Sequence, residues 1–196
     1  AALREGRPAR RVRPEGDGAQ ILRRMQLLTS KPVMYVCNVS EGEAATGNAH
    51  TATVERIARE QGATVVVISA AIEAEVAQLA DADEKREFLS ALGLAQTGLA
   101  RVIASGYALL DLVTFFTVGP KEARAWTVRR GAKAPEAAGV IHTDFEKGFI
   151  RAETIAYADY VACNGEAGAR EAGKLRLEGK DYVVQDGDVF HFRFNV

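Results

Sequence analysis

Val33–Cys37 (VMYVC) and Thr64–Ile68 (TVVVI) are two short apolar runs on either side of Thr51–Gln61 (TATVERIAREQ), whose Val54, Ile57 and Ala58 share one helical face. Strands without polar alternation are buried on both faces, which is the habit of parallel sheets. Strand, helix, strand in this texture predicts a βαβ unit with a right-handed crossover, and Gly62 supplies the helix C-cap. Two such strands cannot make a stable doubly wound sheet, because each needs neighbours and covering helices. Residues 33–111 are therefore expected to be the distal end of a larger α/β domain.

Outward from this unit the texture changes twice. Upstream, residues 1–20 are rich in Arg, Gly and Pro and read as a solvated linker, followed by a short helix over Ile21–Leu28 that Pro32 stops. Downstream, acid-rich helices are expected over Ile72–Leu79 and Ala82–Leu92, and a third from about Gly98 to Leu112. Near Val113 the pattern becomes one of short strands. Thr114–Val118 and Glu122–Val128 alternate as an antiparallel pair around a Gly119-Pro120 turn. Pro135–Thr143 reads as helical, and Phe149–Ile155, Tyr182–Val184 and Val189–Phe194 read as further strands. Gly187, between Asp186 and Asp188, marks a turn before the last of them. The expected fold class is α/β plus α+β. The parts are a linker (1–20), a partial parallel α/β domain (21–111) and an α+β roll of the β-grasp, ubiquitin-like kind (112–196).

The bulk numbers exclude several classes. A length of 196 residues with 47% hydrophobic and 26% charged content suits one or two ordinary globular domains. A formal net charge of -1 gives no global basic field to draw in nucleic acid or an anionic membrane, and no DNA specificity is indicated. Only the start is skewed, with Arg4, Arg7, Arg10, Arg11, Arg13, Arg23 and Arg24 against Glu5, Glu15 and Asp17. Cys37 and Cys163 have no CxxC or Cys/His spacing, so neither a metal site nor a disulfide framework is expected, and a reducing cytoplasm fits. No apolar run approaches the roughly 20 residues of a membrane span. A start at Ala, inside a linker, is expected of a piece of a longer protein.

Ligands of open parallel sheets bind beyond the carboxyl ends of the strands. Here those ends are Asn38-Val39-Ser40-Glu41 and Ser69-Ala70-Ala71-Ile72. An Asn side chain can donate to a purine N7 and accept from an exocyclic amine. Small residues in the second loop let backbone groups approach the ring edge. Guanine selectivity usually rests on Asn-Lys-x-Asp, whose Asp accepts from the guanine N1–H and amine. With Val39 and Glu41 in place of Lys and Asp, guanine selectivity should weaken and adenine be admitted. The same four residues also read as a strand-end turn with a capping Asn. No GxxxxGK[ST] loop occurs anywhere in the chain, so no catalytic residue can be named and phosphates and magnesium have no evident ligands.

Longer segments carry a resemblance. Leu27–Glu41 (LLTSKPVMYVCNVSE) is similar to the entry to the base-recognition strand of the Obg-like ATPase (YchF) family. Thr114–Thr127 (TFFTVGPKEARAWT), Gly139–Glu153 (GVIHTDFEKGFIRAE) and Gly179–Val196 (GKDYVVQDGDVFHFRFNV) resemble that family's TGS domain. The similarity runs in the family's order from about Leu22 to the end and is least over residues 1–20 and Gly42–His50. It implies a P-loop nucleotide-binding domain interrupted by a helical insertion, with residues 1–20 as the return from it, and then the TGS domain. It further implies binding and hydrolysis of ATP in preference to GTP, with magnesium, in the full-length protein. Association with the ribosome and a translation-linked or stress-response role follow from it too. Asn38, Val39 and Glu41 match the family's base-specificity motif, and Ser69, Ala70 and Ala71 its second base loop. This chain alone is expected to be inactive and to hold no nucleotide tightly.

His142, beside Asp144 and Glu146 with no nucleophile in view, fits a helix end better than catalysis, and His50 and His191 have no evident partner. Trp126 reads as core rather than a base-stacking platform. Lys121, Arg124, Arg129, Arg130 and Lys133 gather around the first hairpin, opposed by Glu122 and Glu136. They could contact RNA phosphates, or simply keep a hairpin edge solvated. A non-enzymatic RNA- or ribosome-binding module over 112–196, or a regulatory protein-interaction module, is therefore the alternative function.

Overall fold

The structure is a computed structural model describing residues 2–195, and the chain divides into two compact units, 1–110 and 111–196. In the first unit, β1 (Met34–Asn38) and β2 (Thr64–Ile68) form a two-stranded parallel ladder with Met34 opposite Thr64 and Asn38 opposite Ile68. The helix between them, α2 (Ala49–Gln61), starts at an Asn48 cap whose Oδ1 accepts from the His50 and Thr51 N–H groups. It ends at Gly62, whose φ of 64° is the left-handed cap that glycine adopts without strain. After β2 come α3 (Ala70–Gln78), α4 (Ala82–Ala91) and α5 (Gly98–Leu110). Ile72, Val76, Leu89 and Leu94 close a small core with Ala44. Val36 of β1 stays 45% exposed, and Leu99 and Ile103 of α5 are 60% and 52% exposed, so this unit keeps large apolar side chains at its surface.

The arginine-rich start departs from the expected solvated linker. It carries 3-10 turns at Ala2–Glu5 and Ala9–Arg11 and then α1 (Asp17–Arg24), which begins four residues before the helix expected at Ile21. Ala9 is buried and its N–H donates to Thr29 Oγ1. Arg10 donates to Gln61 Oε1 at 3.0 Å and Arg11 to the Glu60 carbonyl. The physical reason is the C-terminus of α2, where unpaired carbonyls carry partial negative charge and attract cations.

The second unit is a mixed five-stranded sheet in the order β4-β3-β7-β5-β6. Its strands are β3 (Leu112–Val118), β4 (Ala123–Arg129), β5 (Phe149–Ala156), β6 (Arg176–Glu178) and β7 (Asp188–Phe194). β3 and β4 pair antiparallel through the Gly119–Glu122 turn, as their alternation predicts, while β3 and β7 run parallel at the centre. One face packs on α6 (Ala134–Ile141) and α7 (Thr143–Lys147). Ala134, Ala137 and Ala138 are fully buried there, small enough to bring the helix onto Phe115, Phe190 and Phe192. The rings of Phe115 meet those of Phe190 and Phe192 edge-on at 5.6 and 6.1 Å. Successive β7 side chains take opposite faces. Val189 and His191 therefore look the other way, beside Tyr160 and Glu166 of α8 (Tyr157–Ala162) and α9 (Glu166–Glu171).

Two differences from the sequence reading stand out here. Tyr182–Val184 is not a strand: Val183 makes a single bridge to Lys133, and Tyr182 turns inward to hydrogen-bond Asp188. Residues 157–178, without assignment from sequence, hold α8, α9 and β6. Trp126 is half-buried against the core, as its strand position suggests.

Candidate functional site

The carboxyl ends of β1 and β2 are joined side chain to backbone. Asn38 Oδ1 accepts the Ala70 N–H at 2.9 Å, and the Val39 N–H donates to the Ile68 carbonyl at 2.9 Å. The first bond is an unusual helix cap. Ser69 occupies the N-cap position of α3 but makes no capping bond, and its buried Oγ has no partner among the described residues. The orphan N–H at the start of the helix is satisfied instead by an amide from the neighbouring strand. With Oδ1 committed, Asn38 keeps its NH₂ as the donor it can offer a ligand. Ala70 and Ala71 form the exposed first turn of α3, where backbone N–H groups and the positive end of the helix dipole face outward.

Glu41 opens a 3-10 turn (Glu41–Glu43), and its side chain is exposed with no partner among the described residues. The turn is fixed by Ser40 and Glu43. The Ser40 hydroxyl and N–H both donate to Glu43 Oε2, at 2.7 and 3.3 Å. The Ser40 hydroxyl, then the Asn48 side chain, hold the Glu43 carboxyl below its ordinary pKa. Glu43 was missed from sequence, although Ser-x-x-Glu at Ser40–Glu43 is the capping-box signal that could have found it. The structure thus brings Asn38, Val39, Ser69 and Ala70 together and places Glu41 and Ala71 on the adjoining exposed turns.

The basic set does not form one surface. On β4, Arg124 lies on the face of Trp126 and Val128, with its guanidinium 4.1 Å from the Trp126 ring centroid, whereas Arg129 takes the opposite face by alternation. Arg130 pairs with Asp111 at 3.3 Å, and Lys133 with Asp181 at 2.7 Å. That last contact raises the Lys133 pKa and lowers that of Asp181. Lys121 and Arg129 keep exposed cations without an ion-pair partner among the described residues.

Glu153, Glu166 and His191 bring ligand atoms within 4.8 Å of one another, but cations already occupy the site. Arg193 binds both Glu153 oxygens, at 3.1 and 3.2 Å, and Arg170 bridges Glu153 and Glu166 at 3.5 and 2.8 Å. The Arg193 hydrogen bonds hold the Glu153 carboxyl below its ordinary pKa against the opposing effect of burial. His142 caps α7, its Nδ1 accepting the Asp144 N–H, which is the helix-end role expected of it.

A parallel strand pair with its loops joined at the carboxyl end, together with a mixed sheet between helices, defines a two-unit α/β protein. Comparisons with known proteins narrow this class. Residues 112–195 match the family YchF-GTPase_C, described as a protein of unknown function (DUF933). The "Ribosome-binding ATPase YchF" of Bacillus subtilis is 53% identical over 197 residues, covering 100% of this chain and 54% of its own length. The protein of the same name from Haemophilus influenzae is 58% identical over 187 residues, covering 95% of this chain and 51% of its own. The solved "YchF GTPase" of Schizosaccharomyces pombe superposes with a TM-score of 0.81 at 35% identity, covering 97% of this chain and 50% of that one. This chain matches the C-terminal part of YchF proteins and spans about half the length of the curated relatives.

Proposed function

We propose that the chain is the C-terminal part of a ribosome-associated ATPase, in which the strand ends of the first unit recognise the purine base of ATP. The observation that carries this reading is the Asn38–Ala70 bond, which ties the two loops at one end of a parallel ladder and leaves the Asn38 amide NH₂ as a donor. Val39 and Glu41 on one loop, and Ser69, Ala70 and Ala71 on the other, complete the base end. The buried, unpartnered Ser69 Oγ is a polar atom a ring-edge group could satisfy. Phosphates and magnesium would be held by residues outside this sequence, so no hydrolytic step is assigned to it. The names of the relatives, ribosome-binding ATPases, support ATP as the nucleotide and the ribosome as the partner. In this reading the second unit is a TGS domain of the β-grasp kind, the first belongs to a P-loop domain, and the protein works in the cytoplasm.

The test uses the full-length protein and fluorescent nucleotides. Replacing Val39 by Lys and Glu41 by Asp recreates an Asn-Lys-x-Asp motif. Two charge-assisted hydrogen bonds to guanine become available, so the ratio of GTP to ATP affinity should rise by more than about tenfold. An unchanged ratio would place base recognition elsewhere. Ribosomal RNA contact through the second unit is assigned to Lys121 and Arg129, the two cations of the hairpin set without an ion-pair partner among the described residues, with salt-dependent ribosome binding as its signature.

A further inference from the structure

Among the described residues β2 pairs only with β1. Thr64 and Ile68 exchange hydrogen bonds with the β1 side, through the Thr64 N–H to the Val33 carbonyl and the Val39 N–H to the Ile68 carbonyl. In a parallel ladder alternate residues bond a given neighbour, so the N–H and C=O groups of Val65 and Val67 point away from β1. A groove of about 330 Å³ runs there, floored by Val65, Val66 and Val67. Its walls include Glu55 of α2 and Arg101, Ala104 and Ser105 of α5. Neither Glu55 nor Arg101 has an ion-pair partner among the described residues, and Arg101 Nε is buried without a hydrogen bond. Natural sheet edges are usually blunted by lysine, proline or a covering segment, and TVVVI carries neither lysine nor proline.

We propose that the β2 edge is a docking site for an extended acidic peptide of a protein partner, which adds as a third strand. Backbone hydrogen bonds to Val65 and Val67 supply the pairing, and side chains alternate between the two walls. Residues facing α5 meet an unpaired guanidinium beside the small side chains Ala104 and Ser105, so they are acidic. Those facing α2 meet Glu55, so they are neutral or basic. Charge complementarity thereby fixes both the occupant and the side its acidic residues take.

The experiment titrates a fluorescein-labelled octapeptide of alternating valine and glutamate with the full-length protein, reading fluorescence anisotropy. The same peptide with lysine for glutamate is the control. Saturable binding is expected for the glutamate peptide and at least tenfold weaker binding for the lysine one. Val67→Pro removes an outward N–H while leaving the bonds to β1, and should weaken binding at least tenfold. Arg101→Ala should do the same, and Glu55→Gln should not weaken it. Protected Val66 and Ile68 amides in hydrogen exchange show that the ladder survives Val67→Pro; if it does not, Arg101→Ala decides. Equal binding of the two peptides, or full binding by the deciding variant, overturns the proposal. So does a chain that ignores the peptide but self-associates through an interface that Val67→Pro abolishes.

Discussion

Replacing Glu153 by Gln tests whether the charge network on the second sheet is a structural anchor. The Glu153 side chain is 8% exposed, and its two oxygens accept from Arg193 Nε and Nη2 at 3.1 and 3.2 Å. Gln keeps the volume and one acceptor but turns a donor toward the second guanidinium N–H. One charge-assisted hydrogen bond is lost and the remaining one is weakened. Such bonds are worth about 1.5–3 kcal/mol each. The partner side chains Arg193 and Arg170 are 45% and 57% exposed, so water screens much of that. A net loss of about 1–2 kcal/mol at neutral pH remains.

Trp126, the single tryptophan, sits in the second unit, so its fluorescence during urea unfolding reports that unit. The pH dependence supplies a second readout. The folded-state pKa of Glu153 is depressed below the ordinary 4.5, chiefly by the Arg193 hydrogen bonds. The folded state therefore binds this proton less readily than the unfolded chain. The stabilisation is fully present above the unfolded value and disappears as pH falls through the folded one. The difference between the native chain and Glu153→Gln should be largest near pH 7 and shrink in acid below about pH 4.5. A midpoint that moves by less than the equivalent of about 0.3 kcal/mol at pH 7 would show the network to be incidental. A loss that persists undiminished in acid would trace it to packing rather than charge.

Two further changes probe close approaches in the chain. Glu73 of α3 caps α5 in the first unit, its oxygens accepting the Gly98 and Leu99 N–H groups at 2.6 and 3.0 Å. Glu73→Ala orphans both donors at a cost of about 1–2 kcal/mol, and hydrogen exchange at those two amides should accelerate about tenfold; unchanged rates would mean the cap is not needed. A Cβ on Gly148 would lie 2.1 Å from the Asn195 carbonyl oxygen where β5 begins beside β7. Gly148→Ala should therefore lower the Trp126-monitored stability by about 2–3 kcal/mol, and a native midpoint in the urea titration would contradict the crowding.

What was legible in the sequence follows from which interactions are local. The β1–α2–β2 unit announced itself because its burial pattern, helix periodicity and Gly62 cap all lie within 35 residues, and the β3–β4 hairpin did so through alternation around one turn. Residues 157–178 were silent because α8 and α9 are only six residues each and depend on tertiary packing rather than on a long amphipathic face. Tyr182–Val184 misled for the converse reason. Its aromatic and β-branched residues favour a strand, yet the Tyr182 hydroxyl is drawn to the buried Asp188 at 2.9 Å. Burial and that carboxylate push the Tyr182 pKa up to about 12.

The candidate site shows the same division between local and non-local. Asn38 and Ser69-Ala70-Ala71 could be named because each ends a recognisable strand. The bond between them spans 32 positions, and nothing in either tetrad shows that the Asn38 side-chain oxygen Oδ1 caps the helix behind Ser69. That bond changes how the motif must work. An Asn whose oxygen is held by a helix N–H presents its NH₂ in a fixed direction, so it can donate to a purine N7, an atom adenine and guanine share. In the proposed reading, discrimination between the two bases then falls to what meets the Watson–Crick edge. The side chain suited to that task is Glu41, which stands exposed on a turn pinned by Ser40 and Glu43. In the proposed reading the purine contact common to both bases is rigid by construction, and the selective one lies on a separately braced turn, where Glu41 can be exchanged without disturbing the Asn38 cap.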